Sequence, residues 1–234
     1  MFRRTRRLAL ISAIAASAIV LTACAGAAEP ETTEPVGEPD PDATLQVGLV
    51  LEPTNLDIRH TSGAALEQIL IDNIYEGLIS RTQENEIVPR LASDYEVSED
   101  GLTYTFTLNE GITFHSGTAL TSADVVSSYE AVRTDATLQG NAEFASVASI
   151  TAPDPTTVQI VLTAPNQNFL FSLTGPAGLV FQTGDTTDLK TAENGTGPFT
   201  LTRWNKGSAI TFARNEAYCC LLYTSDAADD SLRV

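Results

Sequence analysis

Alternation of apolar and polar positions predicts the most regular part of the chain, a block of strands between residues 102 and 162. Threonines alternate with larger apolar residues over residues 102–108, which is typical of a strand with one buried face. Two further strands, at residues 147–150 and 158–162, are predicted on either side of a turn at residues 153–155. The apolar face of the first strand consists of Leu102, Tyr104, Phe106 and Leu108.

Helical spacing occurs in three places. Residues 64–78 carry apolar side chains at i, i+3 and i+4 positions, with Gly77 near the expected helix end. Thr121 and Asp124 form a capping-box pattern that opens a helix to about Arg133. A short helix is predicted over residues 166–173.

Two further strand signals complete the pattern. Residues 45–51 form an apolar run that predicts a buried strand, ended by the sequence EPTN at residues 52–55. Residues 199–204 and 208–214 predict a hairpin around residues 205–207. Strands with interspersed helices favour an α/β or α+β fold with mixed sheets.

The first 24 residues have the layout of a secretory signal peptide. Residues 1–7 are basic and residues 8–20 are apolar, a run too short for a comfortable membrane span. The following residues, LTAC at 21–24, resemble the bacterial lipobox, in which the cysteine is acylated and becomes the mature N-terminus. We therefore predict a signal peptide over residues 1–23 and lipid attachment at Cys24. A free cysteine in an ordinary signal peptide is the alternative.

Residues 24–43 are predicted to be an acidic, proline-rich linker. They are rich in Gly, Ala, Glu, Pro, Thr and Asp, a composition that cannot bury apolar area. At polyproline spacing such a segment reaches about 60 Å. Folded sequence is expected to begin near Thr44.

Charge and cysteine content exclude several classes of protein. The net charge is −17, which argues against a nucleic-acid partner, because phosphate binding requires clustered Lys and Arg. The chain has three cysteines, and a bridge between the adjacent Cys219 and Cys220 would be strained. We therefore expect no disulfide framework.

Motifs for catalysis are absent from the sequence. It contains two histidines and lacks the nucleophile elbow, the Walker loop, the zincin motif and the Cys-x-x-Cys motif. His115 is interpreted as a structural hydrogen-bonding residue, and His60 lies in a polar loop without identifiable metal partners. We predict no enzyme activity, no catalytic residues, no metal and no cofactor.

Several blocks of sequence resemble one known family. They are IYEGL at residues 74–78, RLASDY at 90–95, EDGLTYTFTL at 99–108, GITFHSG at 111–117, LTSADV at 120–125, GTGPF at 195–199 and RNEAY at 214–218. In this order and spacing they resemble the family 5 extracellular solute-binding proteins, which include dipeptide-, oligopeptide- and nickel-binding proteins.

The resemblance implies a periplasmic-binding-protein-like type II fold, in which a ligand is trapped between two lobes by hinge closure. Family members are more than twice as long as this chain. Residues 44–218 are therefore expected to form only a truncated N-terminal lobe. Residues 219–234 resemble translated sequencing adaptor, and we predict a non-native tail there.

The resemblance also implies a function and two site residues. Glu52 and Thr54 follow the first predicted strand and are expected to line the ligand cleft as hydrogen-bond partners; a simple turn is the alternative. The implied protein is a receptor, lipid-anchored outside the cell membrane on its periplasmic or cell-wall side, that delivers peptides to ABC permease subunits. Alternatives are a nickel-chelate or oligosaccharide receptor, a lipid-anchored secreted hydrolase and a structural lipoprotein.

Overall fold

The computed structural model describes residues 43–218, which contain a four-stranded antiparallel sheet and two small hairpins. The chain divides into two units, residues 1–47 and 48–234, and only residues 43–47 of the first are described. In chain order the elements are α1 (Ala64–Leu70), β1 (Ile79–Arg81), β2 (Ile87–Pro89), β3 (Ala92–Val97), β4 (Thr103–Leu108), α2 (Ser122–Thr134), β5 (Val147–Asp154), β6 (Thr157–Leu162), α3 (Phe169–Ser172), β7 (Phe199–Asn205) and β8 (Ala209–Arg214).

The four-stranded sheet has the order β3-β4-β6-β5, and each neighbouring pair is antiparallel. Phe106 in β4 lies opposite Tyr95 of β3 and Val158 of β6. Strand β4 buries Tyr104, Phe106 and Leu108 on one face, as its alternation predicted. The strands predicted on both sides of residues 153–155 are confirmed as β5 and β6.

The apolar face of the sheet packs against α2, and together they form what we call the sheet core. The Tyr129 hydroxyl on α2 donates a hydrogen bond of 3.0 Å to the Gly178 carbonyl, so that the buried phenol is satisfied. The sheet core includes Leu91, Phe106, Phe114, Val125, Tyr129, Phe144, Val158, Ile160, Phe169 and Val180.

A second, smaller cluster of buried apolar side chains comes from α1 and the connecting loops. We call it the cleft-side core, because Leu66 also lines the cleft described below. The β7–β8 hairpin packs its partly buried Leu201, Trp204, Ile210 and Phe212 against it. This hairpin confirms the one predicted around residues 205–207. The cleft-side core consists of Leu56, Ile58, Leu66, Ile69, Leu70, Ile74, Tyr75 and Leu179.

The predicted capping box opens α2. The Thr121 backbone N–H and hydroxyl donate to the Asp124 carboxylate at 2.9 and 3.0 Å, which satisfies groups left free at the helix start. The other oxygen of Asp124 accepts the Thr183 N–H at 2.9 Å. The cap therefore also attaches a distant loop to α2. The short helix predicted over residues 166–173 is confirmed as α3.

The helix predicted over residues 64–78 is too long, because α1 ends at Leu70. Ile71 is extended, and Asp72 adopts a left-handed φ of 61°. The Asp72 N–H donates to the Tyr75 carbonyl at 2.9 Å, which closes a turn instead of another helical turn. The turn still buries Ile74 completely, so the apolar spacing reports burial and not a continuous helix.

The buried strand predicted over residues 45–51 is wrong. These residues form no strand, and their apolar side chains are exposed, with Val50 fully so. A strand requires a neighbour to take its hydrogen bonds, and none of the strands described within residues 43–218 pairs with this segment. No helix in the same range is both long enough and apolar enough to cross a bilayer.

Candidate functional site

Two short segments, residues 51–54 and 61–66, face each other across a small open cleft of about 120 Å³. Pockets that enclose small ligands are usually larger than about 300 Å³, so this cleft has room only for one end or one side chain of a solute. Both predicted site residues, Glu52 and Thr54, line it. The predicted lipid-attachment residue, Cys24, lies outside the described residues.

The loop between the two segments is shaped by its own side chains. The side-chain amide oxygen of Asn55, Oδ1, accepts the Asp57 N–H at 2.8 Å and the Thr61 hydroxyl at 3.1 Å, which links the two walls of the cleft. The Asp57 carboxylate accepts the Arg59 N–H at 3.2 Å and faces His60 Nδ1 at 2.9 Å. Asn and Asp form such turns readily because they bond to the backbone two residues ahead.

Glu52 lies in the cleft wall, but its carboxylate is already bound to the tip of the β7–β8 hairpin. Its Oε1 accepts a hydrogen bond from Trp204 Nε1 at 3.0 Å. The Gly207 N–H is shared by both carboxylate oxygens, with the nitrogen 2.9 Å from each. The hydrogen bond from Gly207 is the main cause that lowers the pKa of Glu52, followed by the bond from Trp204, while Lys206 contributes by its charge. The carboxylate is therefore ionised at neutral pH.

Thr54 is exposed in the same wall. Its hydroxyl oxygen accepts a long hydrogen bond of 3.5 Å from the Asn55 amide. Within residues 43–218 its hydroxyl donates to no partner, so a solute can accept this proton. Likewise, the backbone of residues 48–54 makes no backbone–backbone hydrogen bond to any other described residue.

Trp204 and Gly207 were not predicted as part of this site. The sequence placed them in a hairpin, and it carries one tryptophan, at position 204. The available signal was that single tryptophan beside the turn residue Gly207, whose φ is 75°. What the sequence could not show is that the hairpin tip meets a residue more than 150 positions earlier.

A buried polar cluster lies next to the cleft-side core, around Glu76. Arg90 Nε lies 2.7 Å from one Glu76 oxygen, which also accepts the Tyr218 hydroxyl at 2.7 Å. The other oxygen accepts the Thr196 hydroxyl at 2.9 Å. Burial raises the pKa of Glu76, and the Arg90 charge opposes this rise. Because protein groups occupy both oxygens, we assign this cluster a structural role.

His115 is also enclosed by acceptors, as its structural interpretation requires. Its Nδ1 lies 2.5 Å from a Glu193 oxygen, and its Nε2 lies 2.9 Å from the Gly197 carbonyl. Burial alone would lower the pKa of His115, but the bonds to Glu193 and Gly197 outweigh it and raise the pKa. Two acceptors require two ring protons, which is the charged form.

The possible metal ligands are dispersed in the part of the chain that the structure describes. No three His, Cys, Asp or Glu side chains within residues 43–218 are placed to hold an ion. The two histidines are each paired with a carboxylate, His60 with Asp57 and His115 with Glu193.

Comparison with known proteins gives a family match over most of the chain. Residues 86–230 match the family described as bacterial extracellular solute-binding proteins, family 5 Middle, so the match continues beyond Tyr218. The chain is 30% identical over 182 residues to glutathione-binding protein GsiB of Pectobacterium atrosepticum, covering 76% of this chain and 35% of that protein. Protein XP55 of Streptomyces lividans is 30% identical over 224 residues, or 92% of this chain and 40% of that protein.

Solved structures give the same result for the fold. The periplasmic binding protein AgaA from A. tumefaciens R10, in complex with agropinic acid, matches with a TM-score of 0.66 and 30% identity over 72% of this chain and 35% of that chain. DppA from Helicobacter pylori, in complex with the peptide STSA, matches with a TM-score of 0.64 and 25% identity over 72% and 38%. The predicted periplasmic-binding-protein-like fold is confirmed. The chain spans about a third of the length of the relatives first matched.

Proposed function

The chain belongs to the bacterial extracellular solute-binding proteins of family 5, and on this premise we propose that it captures a solute outside the cytoplasm for an ABC importer. The observation that carries the proposal is the family match over residues 86–230. The relatives with assigned ligands are binding proteins and not enzymes. The proposed partners are therefore a small solute and the permease subunits of the importer.

A peptide is the solute that the cleft favours. The backbone of residues 48–54 has no backbone partner among the described residues, and its groups suit the main chain of an extended peptide. The Thr54 hydroxyl adds a donor in the same wall. Two of the similar proteins are a glutathione-binding protein and a protein in complex with the peptide STSA.

Calorimetric titration of the full-length protein tests the proposal. The ligands are the peptide STSA, glutathione and agropinic acid, and we expect saturable binding of a peptide at micromolar concentration or below. If agropinic acid binds more tightly than either peptide, the proposed ligand class changes from peptides to solutes of that kind. Absence of saturable binding for all three would overturn the proposed function.

The contribution of Thr54 is tested by Thr54→Val, which keeps the shape and removes the donor. One hydrogen bond contributes about 0.5–1.5 kcal/mol net, so the dissociation constant should rise about 2- to 10-fold. Thr107→Val, at an exposed position of β4, is the matched control and should leave affinity unchanged. Equal affinities for both variants would remove Thr54 from the site.

We also propose that Cys24 is acylated and anchors the protein to the outer face of the cell membrane. The basic residues 1–7, the apolar residues 8–20 and the sequence LTAC at 21–24 support this. Cys24→Ser should move the protein from the detergent phase to the aqueous phase in a phase-partition experiment. Unchanged partition would contradict the anchor.

A further inference from the structure

We propose that Glu52 is a positioning residue, whose carboxylate holds the cleft wall against the tip of the β7–β8 hairpin without touching the solute. This inference rests on the proposed function, because it concerns how the same cleft is built. It assigns the direct contact in this wall to Thr54 and the backbone. Glu52, Trp204 and Gly207 then act together, and we call them the latch.

The latch joins segments that are far apart in sequence. Glu52 and its two donors are separated by 152 and 155 positions. The hairpin side of the latch is firmly placed, because β7 and β8 pair along their length and pack on the cleft-side core. The wall side has less support: residues 48–54 have no backbone–backbone bond to other described residues, and within this segment only Pro53 is buried. The latch is therefore a specific polar contact that fixes the wall.

The donors fit a carboxylate closely. The Gly207 N–H lies 2.9 Å from both Glu52 oxygens, and Trp204 Nε1 lies 3.0 Å from one of them. Gly207 has a left-handed φ of 75°, a backbone conformation that residues other than glycine rarely adopt. Lys206 lies with Nζ 4.5 Å from the centre of the Trp204 ring, which places a positive charge beside the latch.

A solute that used the Glu52 carboxylate would have to share it with the hairpin. The hairpin already makes three contacts to a carboxylate that has about four acceptor positions, so little of its capacity is left for a solute. Losing Glu52 should therefore loosen the wall and weaken binding of every solute by a similar factor. A direct contact would instead weaken binding of those solutes that carry the group it recognises.

The first test uses Trp204 as a reporter in the 234-residue chain without solute, because the chain has one tryptophan. Glu52→Ala should raise acrylamide quenching of Trp204 at least twofold, and Glu52→Gln should raise it less because its amide oxygen still accepts one bond. Glu84→Gln, at an exposed glutamate, is the control and should change nothing. Thermal melts check that each variant folds. Unchanged quenching in folded Glu52→Ala would overturn the latch.

The second test measures the wall itself by hydrogen exchange. Glu52→Ala should speed exchange of the amides of residues 50–55 and 204–208 and leave the sheet strands unchanged. Trp204→Phe keeps the ring and removes the donor, so it should speed exchange in residues 50–55 as well. Exchange that stays at the wild-type rate in both variants would show that the wall does not depend on the latch.

The third test separates positioning from direct contact, in the full-length protein. Affinities of wild type and Glu52→Ala are measured for one peptide with a free and with an acetylated amino group. If Glu52 only positions the wall, Glu52→Ala should weaken the affinity for both peptides by the same factor. A loss of affinity confined to the peptide with the free amino group would overturn the proposal. If the wild type binds neither peptide nor another solute, the proposed function fails, while the first two tests still decide whether the latch exists.

Discussion

Around the four-stranded sheet, backbone ladders hold each strand to its neighbours, whereas residues 48–54 of the cleft wall make no backbone–backbone bond and are joined to the hairpin by the side chain of Glu52. The sheet core buries large apolar residues from β4, β6 and α2 in one continuous cluster. The cleft-side core is smaller, and its loops depend on contacts such as the one from Asn55 to Thr61 and those of the latch.

This difference separates stability from adaptability. Apolar burial over many residues is cooperative, so the sheet region opens only when the domain unfolds. A loop held by a few exposed hydrogen bonds opens at a small free-energy cost, which suits a wall that admits a solute. The scaffold and the proposed binding surface are thus built from different kinds of contact.

The largest effect is expected in the sheet core. Phe106 is fully buried between two neighbouring strands, so Phe106→Ala should lower the free energy of unfolding by about 3–5 kcal/mol. The next residue, Thr107, is exposed, and Thr107→Ala should stay within about 0.5 kcal/mol. Denaturant unfolding measures both. Similar losses of unfolding free energy in the two variants would contradict the claim that the buried sheet core carries most of the stability.

An intermediate effect is expected from the polar cluster beside the cleft-side core. Arg90→Ala leaves Glu76 buried without its cation, which costs about 3–5 kcal/mol for a fully buried pair. We expect the lower end of this range, because the Arg90 side chain is 32% exposed. Arg133→Ala breaks a surface pair with Glu130 on α2 and should cost about 0.5 kcal/mol or less. An equally small loss at Arg90 would show that this region tolerates the removal of its ion pair.

The smallest effect is a pH dependence carried by His115. Its pKa in the folded protein is raised, so its contribution to stability is complete below the ordinary histidine pKa of about 6.5. The contribution is lost as pH rises through the higher folded pKa. Free energies of unfolding between pH 5.5 and 9 should therefore fall less in His115→Gln than in the wild type. Parallel slopes for His115→Gln and the wild type would contradict this contribution of His115.

The sequence predicted those elements whose pattern is local. The alternation around Phe106 and the pair Thr121 and Asp124 each define an element within a few residues, and both are confirmed. The mixed fold followed from the order of such elements. The overlong helix after Ala64 failed because periodic burial continues through a turn, and the pair Asp72 and Asn73, which favours turns and tolerates the left-handed conformation, was the local signal for it.

The cleft was harder to predict because it is made by contacts between distant segments. The apolar run at residues 45–51 has the composition of a strand, yet a strand exists only where a partner does. Glu52 and Thr54 both line the small cleft, and their role in binding a solute stays a prediction; the bond from Trp204 to Glu52 depends on the docking of a hairpin. Local pattern indicates which residues surround the cleft, while tertiary structure decides what each one contacts.

The contact between Glu76 and Tyr218 has a consequence for the order of folding. It joins residues 142 positions apart, and closing a flexible loop of that length costs about 4 kcal/mol of chain entropy. A single hydrogen bond returns about 0.5–1.5 kcal/mol, so this contact cannot form early. Pairing β4 with β6 shortens the loop that remains to be closed. The Glu76 cluster is therefore a late step, and weakening it should speed unfolding while the rate of folding stays nearly unchanged.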